Sequence, residues 1–207
     1  MKHYPGFFIV VEGIDGSGIS TQISRLSQSL LSRGRKTKTT KQPSTGPVGS
    51  LIRQVLAGRL QGVNSETLAL LFAADRLDAF VQEVQPVLCA GGVVLCDRYL
   101  WSTLAYQGLD LDDSWLRQIN ASAIEPDLTV LIKVRPVVSM QRIKEGRFHV
   151  ELFEQEDLLE KIFAKYVVLA AEAKAAGQLV VEIDGEQSPD DVSAAVLAAV
   201  LQVLGET

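Results

Sequence analysis

The sequence predicts an α/β fold built on a parallel sheet with helices on both faces, and three observations carry that reading. Five short strand-like runs, Phe7–Val11, Lys36–Thr40, Gly92–Cys96, Leu128–Val134 and Leu179–Ile183, alternate with segments of helical spacing. Most of these runs are continuously apolar, as strands buried on both faces are. The first run is followed at once by a glycine-rich turn and then by a helical pattern. In such sheets ligands bind beyond the C-terminal ends of the strands, so each polar cluster that follows a strand is a candidate site. The 207 residues suit one domain with a full core, and no repeat, low-complexity tract or linker divides them.

The first strand leads into Gly13, Ile14, Asp15, Gly16, Ser17, Gly18, Ile19, Ser20 and Thr21, and Ile23, Leu26 and Leu30 continue at helical spacing. Strand, glycine loop and helix in this order form a phosphate loop. Its backbone N–H groups wrap a phosphate chain, and the helix N-terminus adds about half a positive charge. Against the pattern G-x-x-x-x-G-K-[ST], Gly13, Gly18 and Ser20 are in place, but Ile19 stands where lysine is expected.

The second strand runs into Thr40–Pro47, which is dense in turn formers. Lys41 and Arg53 flank this turn and either face an anion or are solvated charges. Ser65 is the expected N-cap of a helix running from Glu66 towards Leu88. On it Phe72 and Arg76 share one face, a flat ring beside a guanidinium fork, which suits stacking a base and bonding its edge. Taken singly, Phe72 also suits a core and Arg76 a pairing with Asp78.

The third strand ends in Asp97-Arg98-Tyr99. A carboxylate just past a buried strand and next to a phosphate loop is placed to hold Mg²⁺ or its water shell, and Arg98 a phosphate; capping the next helix is the alternative for Asp97. Ser102, Tyr106 and Gln107 then line one side of a short helix. Arg142, Lys144 and Arg147 surround Gly146, the pattern either of a short lid over residues 142–154 that closes on phosphates or of a solvated charge run.

A net charge of −5 gives no electrostatic reason to expect nucleic acid or a membrane surface as partner. No apolar run is long enough to span a bilayer, and no signal segment precedes the glycine loop. Cys89, ending a helix, and Cys96, in a strand, read as buried free thiols. The expected location is cytoplasmic. No cysteine or histidine spacing suggests zinc, and His149 has no partner pattern.

The succession FIVVEGIDGSG, TKQPSTGPVGSLIR, LLFAADR, CDRYLWSTLAYQG, EPDLTVLI and RIKEGRFHVELFE resembles the thymidylate kinases, P-loop nucleoside monophosphate kinases that make dTDP from dTMP and ATP. FAADR, DRY and AYQG together are far more specific than the glycine loop alone. The resemblance covers nearly the whole chain and implies a P-loop NTPase fold with a five-stranded parallel sheet, a mobile lid, a homodimer, and ATP and Mg²⁺. It implies that Phe72 stacks on thymine, Arg76 bonds the base edge, and Ser102 and Gln107 line the base pocket. Tyr106 would crowd the sugar 2′ position and Asp15 would meet the 3′-hydroxyl. Lys41, Arg53 and Arg98 would hold the acceptor phosphate, Ser20 with Asp97 through water would serve Mg²⁺, and Arg142 and Arg147 would close on ATP.

The chain departs from the family pattern at three places. Ile19 replaces the phosphate-loop lysine, Lys41-Gln42 replaces Arg-Glu, and Lys133 and Arg135 stand where an acidic residue is usual. A thymidylate kinase is the leading reading, with the missing charge supplied by Lys133 or, second, by Arg147. The rival is a nucleotide-binding protein with little or no phosphoryl transfer; a kinase for another nucleotide, such as dUMP or a deoxynucleoside, is the third.

Overall fold

The structure is a computed structural model that describes residues 4–146 and 156–206. All five expected strands form, each within a residue or so of its expected bounds: β1 (Phe7–Glu12), β2 (Thr37–Lys41), β3 (Val93–Asp97), β4 (Leu128–Lys133) and β5 (Val180–Asp184). They make one sheet in the order β2-β3-β1-β4-β5, and every neighbouring pair is parallel. The register sets Val11 beside Asp97 and Val11 beside Val130, so the loop after β1 emerges next to the Asp97-Arg98 turn.

The helices are α1 (Ile19–Ser32), α2 (Pro47–Leu56), α3 (Ser65–Ala79), α4 (Gln85–Cys89), α5 (Leu100–Tyr106), α6 (Asp113–Ile119), α7 (Pro136–Gly146), α8 (Glu156–Ala175) and α9 (Pro189–Leu204). Alternate residues of the buried strands serve opposite faces. Ile9, Val11, Leu95, Val130 and Ile132 pack with Ile23, Leu26 and Leu30 of α1 and Val192, Val196 and Val200 of α9. On the other face Phe8, Val10, Val94 and Cys96 meet Val84, Leu88 and Tyr99, while Leu131 meets α5 and α8 through Leu104, Ile162 and Tyr166. Each such side chain contributes roughly 1.5–3 kcal/mol on full burial, which makes the two-sided sheet the rigid frame of the molecule.

Three local expectations are corrected. The N-cap of α3 is Asn64, one residue before Ser65; its side chain accepts from the Thr67 N–H at 2.9 Å. Both residue types cap well, and the chain turns extended at the earlier one. The expected run to Leu88 is helical throughout but passes through a π turn at Phe80–Val84. Pro86 lacks an N–H and cannot continue an unbroken α ladder, so the register shifts just ahead of it. Cys89 is exposed at the end of α4, not buried as expected, while Cys96 is buried in β3; both are free thiols. Among the described residues no helix is long and apolar enough to cross a membrane.

Candidate functional site

The loop from Gly13 to Gly18 connects the centre of the sheet to α1. Gly16 has φ +74, and a Cβ there would come 2.7 Å from the Ser139 carbonyl oxygen of α7, so α7 lies directly on the loop. Gly18, with φ +89, is the N-cap of α1, and no side chain caps that end. The first N–H groups of α1 therefore remain available to an anion. Ser17 Oγ is buried in the loop and has no hydrogen-bond partner among the described residues. Ser20 Oγ donates to Asp97 Oδ2 at 2.6 Å, while Ile14 is buried under the α5–α8 layer and Thr21 is exposed. Asp97 does not cap α5, whose N-cap residue is Tyr99. Ile19 is 5% exposed and belongs to the apolar cluster between α1, α9 and the sheet.

Beyond the loop lies a cavity of about 130 Å³, bounded by Phe72 and Arg76 of α3, by Ser102, Tyr106 and Gln107, and by Asp15 and Arg98. The sequence-predicted base and sugar residues thus converge. Gln107 is buried. Arg76 is not paired with Asp78. Its Nε donates to Gln42 Oε1 at 3.0 Å, Nη2 to the Tyr99 carbonyl at 3.2 Å and Thr103 Oγ1 at 2.9 Å, and Nη1 to Asn120 Oδ1. Four of the five guanidinium donors are thereby occupied, leaving one on Nη1. Burial pulls the pKa of Arg76 down from its ordinary value, and Tyr99, Glu12 and Asp75 oppose that shift.

Arg98 joins the cavity to the loop. Its Nη2 donates to Asp15 Oδ1 at 2.8 Å, and its Nη1 reaches Ser102 Oγ, Tyr106 Oη and Tyr166 Oη at 3.3, 3.2 and 3.4 Å. Tyr106 Oη donates to Asp15 Oδ2 at 2.8 Å, so three groups form one hydrogen-bonded ring. Burial disfavours the charge on Arg98, but Tyr106, Asp15 and Tyr166 outweigh it and raise its pKa. Burial likewise raises Tyr106, with Arg98 opposing. Arg98 is therefore a fixed cation aimed along the path from loop to cavity.

Other candidates sit further out. Lys41 is exposed, has no ion pair among the described residues, and shares a groove of about 610 Å³ with Ser20 and Asp97. Arg53 braces the turn, donating to the Pro43 carbonyl at 3.2 Å, to the Ser44 carbonyl, and to Ser50 Oγ at 2.9 Å. Arg142 Nη2 donates to the Gly185 carbonyl at 3.0 Å. Arg147, His149 and most of the expected lid lie outside the described residues. Lys133, expected to fill in for the absent loop lysine, is instead 3.0 Å from Glu182 on the β4–β5 side, and Arg135 is paired with Glu186 at 2.6 Å. A neighbouring carboxylate on β5 offers Lys133 a nearer partner than the loop does.

With this geometry in place, comparison with known proteins is decisive. The sequence model of the thymidylate kinase family matches residues 11–196. The chain belongs to the thymidylate kinase family. A probable thymidylate kinase of Pyrococcus horikoshii is 40% identical over 172 residues, covering 80% of this chain and 83% of that protein. A putative thymidylate kinase of Aeropyrum pernix is 37% identical, covering 95% and 97% of the two chains. A thymidylate kinase of Solidesulfovibrio magneticus is 36% identical, covering 95% and 100%.

Within this thymidylate kinase fold, several residues around the cavity escaped sequence reasoning. Thr103 and Asn120 take up Arg76, and Asp75 accepts from the Ser44 N–H at 2.7 Å and Ser44 Oγ at 2.6 Å, fixing the turn after β2. Glu12 carried a readable signal, a charged residue ending an apolar strand. Tyr166 carried none, because it reaches the site from α8, far along the chain.

Proposed function

We propose that the protein is an ATP-dependent dTMP kinase. An oxygen of the dTMP phosphate attacks the γ-phosphorus of ATP, the bond from that phosphorus to the β–γ bridging oxygen breaks, and dTDP and ADP leave. The acceptor is already a phosphate oxygen, so positioning and charge neutralisation carry the rate and no strong base is required. The observation that carries this reading is Arg98, placed between the phosphate loop and a cavity walled by Phe72, Arg76 and Tyr106.

Several features support the individual roles. Phe72 stacks on the base, and the remaining Arg76 donor with Gln107 bonds its edge. Tyr106 crowds the 2′ position and Asp15 meets the 3′-hydroxyl. Arg98, with Lys41 and Arg53, holds the acceptor phosphate. The loop N–H groups and the orphan Ser17 hydroxyl suit the phosphates of ATP, with Arg142 and Arg147 closing over them. The Ser20–Asp97 oxygen pair at the loop mouth suits a hard cation. Among the described residues no group of three acidic, histidine or cysteine side chains could hold a metal, so Mg²⁺ would take its remaining ligands from phosphate and water. Mg²⁺ held there would supply positive charge that offsets the charge of the ATP phosphates. Ile19 is the one departure that points towards weak transfer, and the convergence of Phe72, Arg76, Tyr106 and Arg98 on one cavity favours the enzyme over a non-catalytic nucleotide-binding role.

The whole chain is read as one thymidylate-kinase-like domain, cytoplasmic, acting as a homodimer. For the dimer, Leu70, Leu77 and Val81 leave an apolar stripe 49%, 43% and 55% exposed along α3 and the turn after it, which a second copy would cover. ADP release measured against dTMP, dUMP, UMP, dCMP and thymidine tests the activity. The expected result is turnover with dTMP above all others; no turnover with any nucleotide, or a preference for UMP, overturns it.

A further inference from the structure

Strand β1 is apolar until its last residue, Glu12, which is 1% exposed. A buried carboxylate is costly unless its oxygens are fully bonded. Here both are. Oε1 accepts from the backbone N–H groups of Tyr99 at 2.9 Å and Ser102 at 3.3 Å, and Oε2 lies 2.8 Å from Ser102 Oγ and 3.1 Å from Tyr166 Oη. Neither the phosphate loop nor the base pocket, as described above, uses this residue.

The direction of these bonds matters on the far side of the two hydroxyls. Ser102 Oγ and Tyr166 Oη also lie 3.3 and 3.4 Å from Arg98 Nη1, which only donates. Each oxygen must therefore present a lone pair to Arg98 and send its hydrogen elsewhere. The two oxygens are also 2.7 Å apart, so one hydroxyl donates to the other and the second donates to Glu12 Oε2; the carboxylate at the end of this chain sets that polarity. Asp15 does the same for Tyr106, the third hydroxyl on Nη1.

We propose that Glu12 is a positioning residue for the phosphate-holding guanidinium: its carboxylate orients Ser102 and Tyr166 so that both oxygens face Arg98. This rests on the assignment of Arg98 to the acceptor phosphate. Glu12 also fastens the start of α5 through two N–H groups, so the strand that launches the phosphate loop sets the aim of the nucleotide-binding cation. Glutamine at this position has the same shape and can keep the backbone bonds through its carbonyl oxygen. Its NH₂ group would then stand where Oε2 stands and donate, turning the hydroxyl hydrogens towards Arg98 and pushing the guanidinium off its line.

Calorimetric titration of dTMP and thymidine into the wild type, Glu12→Gln, Tyr166→Phe, Arg98→Ala and the Glu12→Gln/Arg98→Ala double variant tests this, with thermal melting as the folding control. Glu12→Gln is expected to weaken dTMP about tenfold and thymidine less than about threefold, since the perturbed bonds involve a charged donor. In the Arg98→Ala background the same change should alter dTMP affinity less than about threefold, because the coupled partner is gone. Tyr166→Phe should weaken dTMP in the same selective direction by about threefold. Unchanged dTMP affinity in folded Glu12→Gln, equal losses for both ligands, or an undiminished loss in the Arg98→Ala background overturns the proposal. If Glu12→Gln fails to fold, the absence of a selective loss in Tyr166→Phe overturns it. Wild type that binds no dTMP sinks the kinase reading itself, whereas wild type that binds normally with indifferent variants sinks only the role of Glu12.

Discussion

Arg98 Nη2 stands 2.8 Å from Asp15 Oδ1, so a residue of the phosphate loop and the residue after β3 hold each other in the wall of the cavity. Arg98 also has φ +68, in the left-handed region that non-glycine residues avoid. Such a conformation costs about 1–3 kcal/mol and persists only where neighbours over-determine it. Here the Arg98 N–H donates to the Val11 carbonyl at 3.0 Å and the side chain makes four further bonds. The backbone is bent to deliver one guanidinium to one place.

Arg98→Ala should therefore weaken dTMP by roughly 1.5–3 kcal/mol, the scale of a hydrogen bond to a charged group, and weaken thymidine much less. Calorimetry with both ligands checks this. Equal losses would mean that Arg98 organises the cavity without touching phosphate.

Phe72 is half-buried on the wall of the cavity, with Arg76 one turn further along the same face of α3. Removing a stacking ring costs about 1–3 kcal/mol per base in comparable settings. Phe72→Ala should reduce dTMP affinity by that amount while leaving ATP affinity unchanged. Tyr106, bonded to Asp15 and Arg98, cannot swing aside without breaking the ring of bonds, so UMP should bind far more weakly than dTMP. A folded Phe72→Ala variant with wild-type dTMP affinity would remove Phe72 from the base site.

The sheet was legible in the sequence because its inner strands are runs such as FFIVV and VVLC, long enough to be buried and too short to be anything else. The convergence of Phe72, Arg76, Ser102 and Tyr106 on one cavity was legible because Phe72 with Arg76, and Ser102 with Tyr106, lie on single helices where spacing alone sets the face. What could not be read were contacts between elements far apart in sequence. Nothing around Tyr166 says that its hydroxyl meets Glu12, and nothing near Lys133 says that Glu182 will be its partner. Long-range pairing depends on which strand lies next to which. The order β1-β4-β5 brings Lys133 to Glu182, a placement that residue spacing within one element cannot supply.

Arg135 illustrates the same point with a measurable consequence. Its guanidinium and its backbone N–H all donate to Glu186, at 2.6 to 3.0 Å. The side-chain bonds from Arg135, followed by its backbone N–H, hold the Glu186 carboxyl down at about 2. A carboxylate depressed in the folded state stabilises it fully above the unfolded value of about 4.3, and that contribution fades as pH falls towards the folded value. Carboxyl-detected NMR should show Glu186 titrating near 2 in the wild type and moving up towards about 4.3 in Arg135→Ala. An unchanged titration would mean that Arg135 is free of Glu186 in solution and open to the nucleotide.

The final prediction concerns Ile19, at the position where lysine is expected. Its side chain is 5% exposed in the cluster that holds Val11, Ile132 and Val192, so the side chain serves the core and offers no donor to phosphate. Losing one preorganised donor to transition-state charge costs on the order of 10²–10³ in rate, or about 3–4 kcal/mol. Lys133 does not make up that loss in this structure. Its ammonium is 3.0 Å from Glu182, which also accepts from Lys174 at 2.6 Å, and the cleft it lines contains no phosphate-loop residue. Lys133→Ala should thus leave turnover within about twofold, since an exposed pair of this kind contributes at most about 1 kcal/mol to stability. Ile19→Lys should raise turnover by about a hundredfold, with a smaller change in the KM for ATP, because the new ammonium meets charge that grows during transfer. The lysine stem can cover much of the same apolar surface while its head reaches out, so the variant should fold with a lower melting temperature. Steady-state kinetics and thermal melts on both variants check this. A large loss in Lys133→Ala would restore Lys133 as the substitute cation. If Ile19→Lys gains nothing while Arg147→Ala loses turnover, the missing charge comes from Arg147.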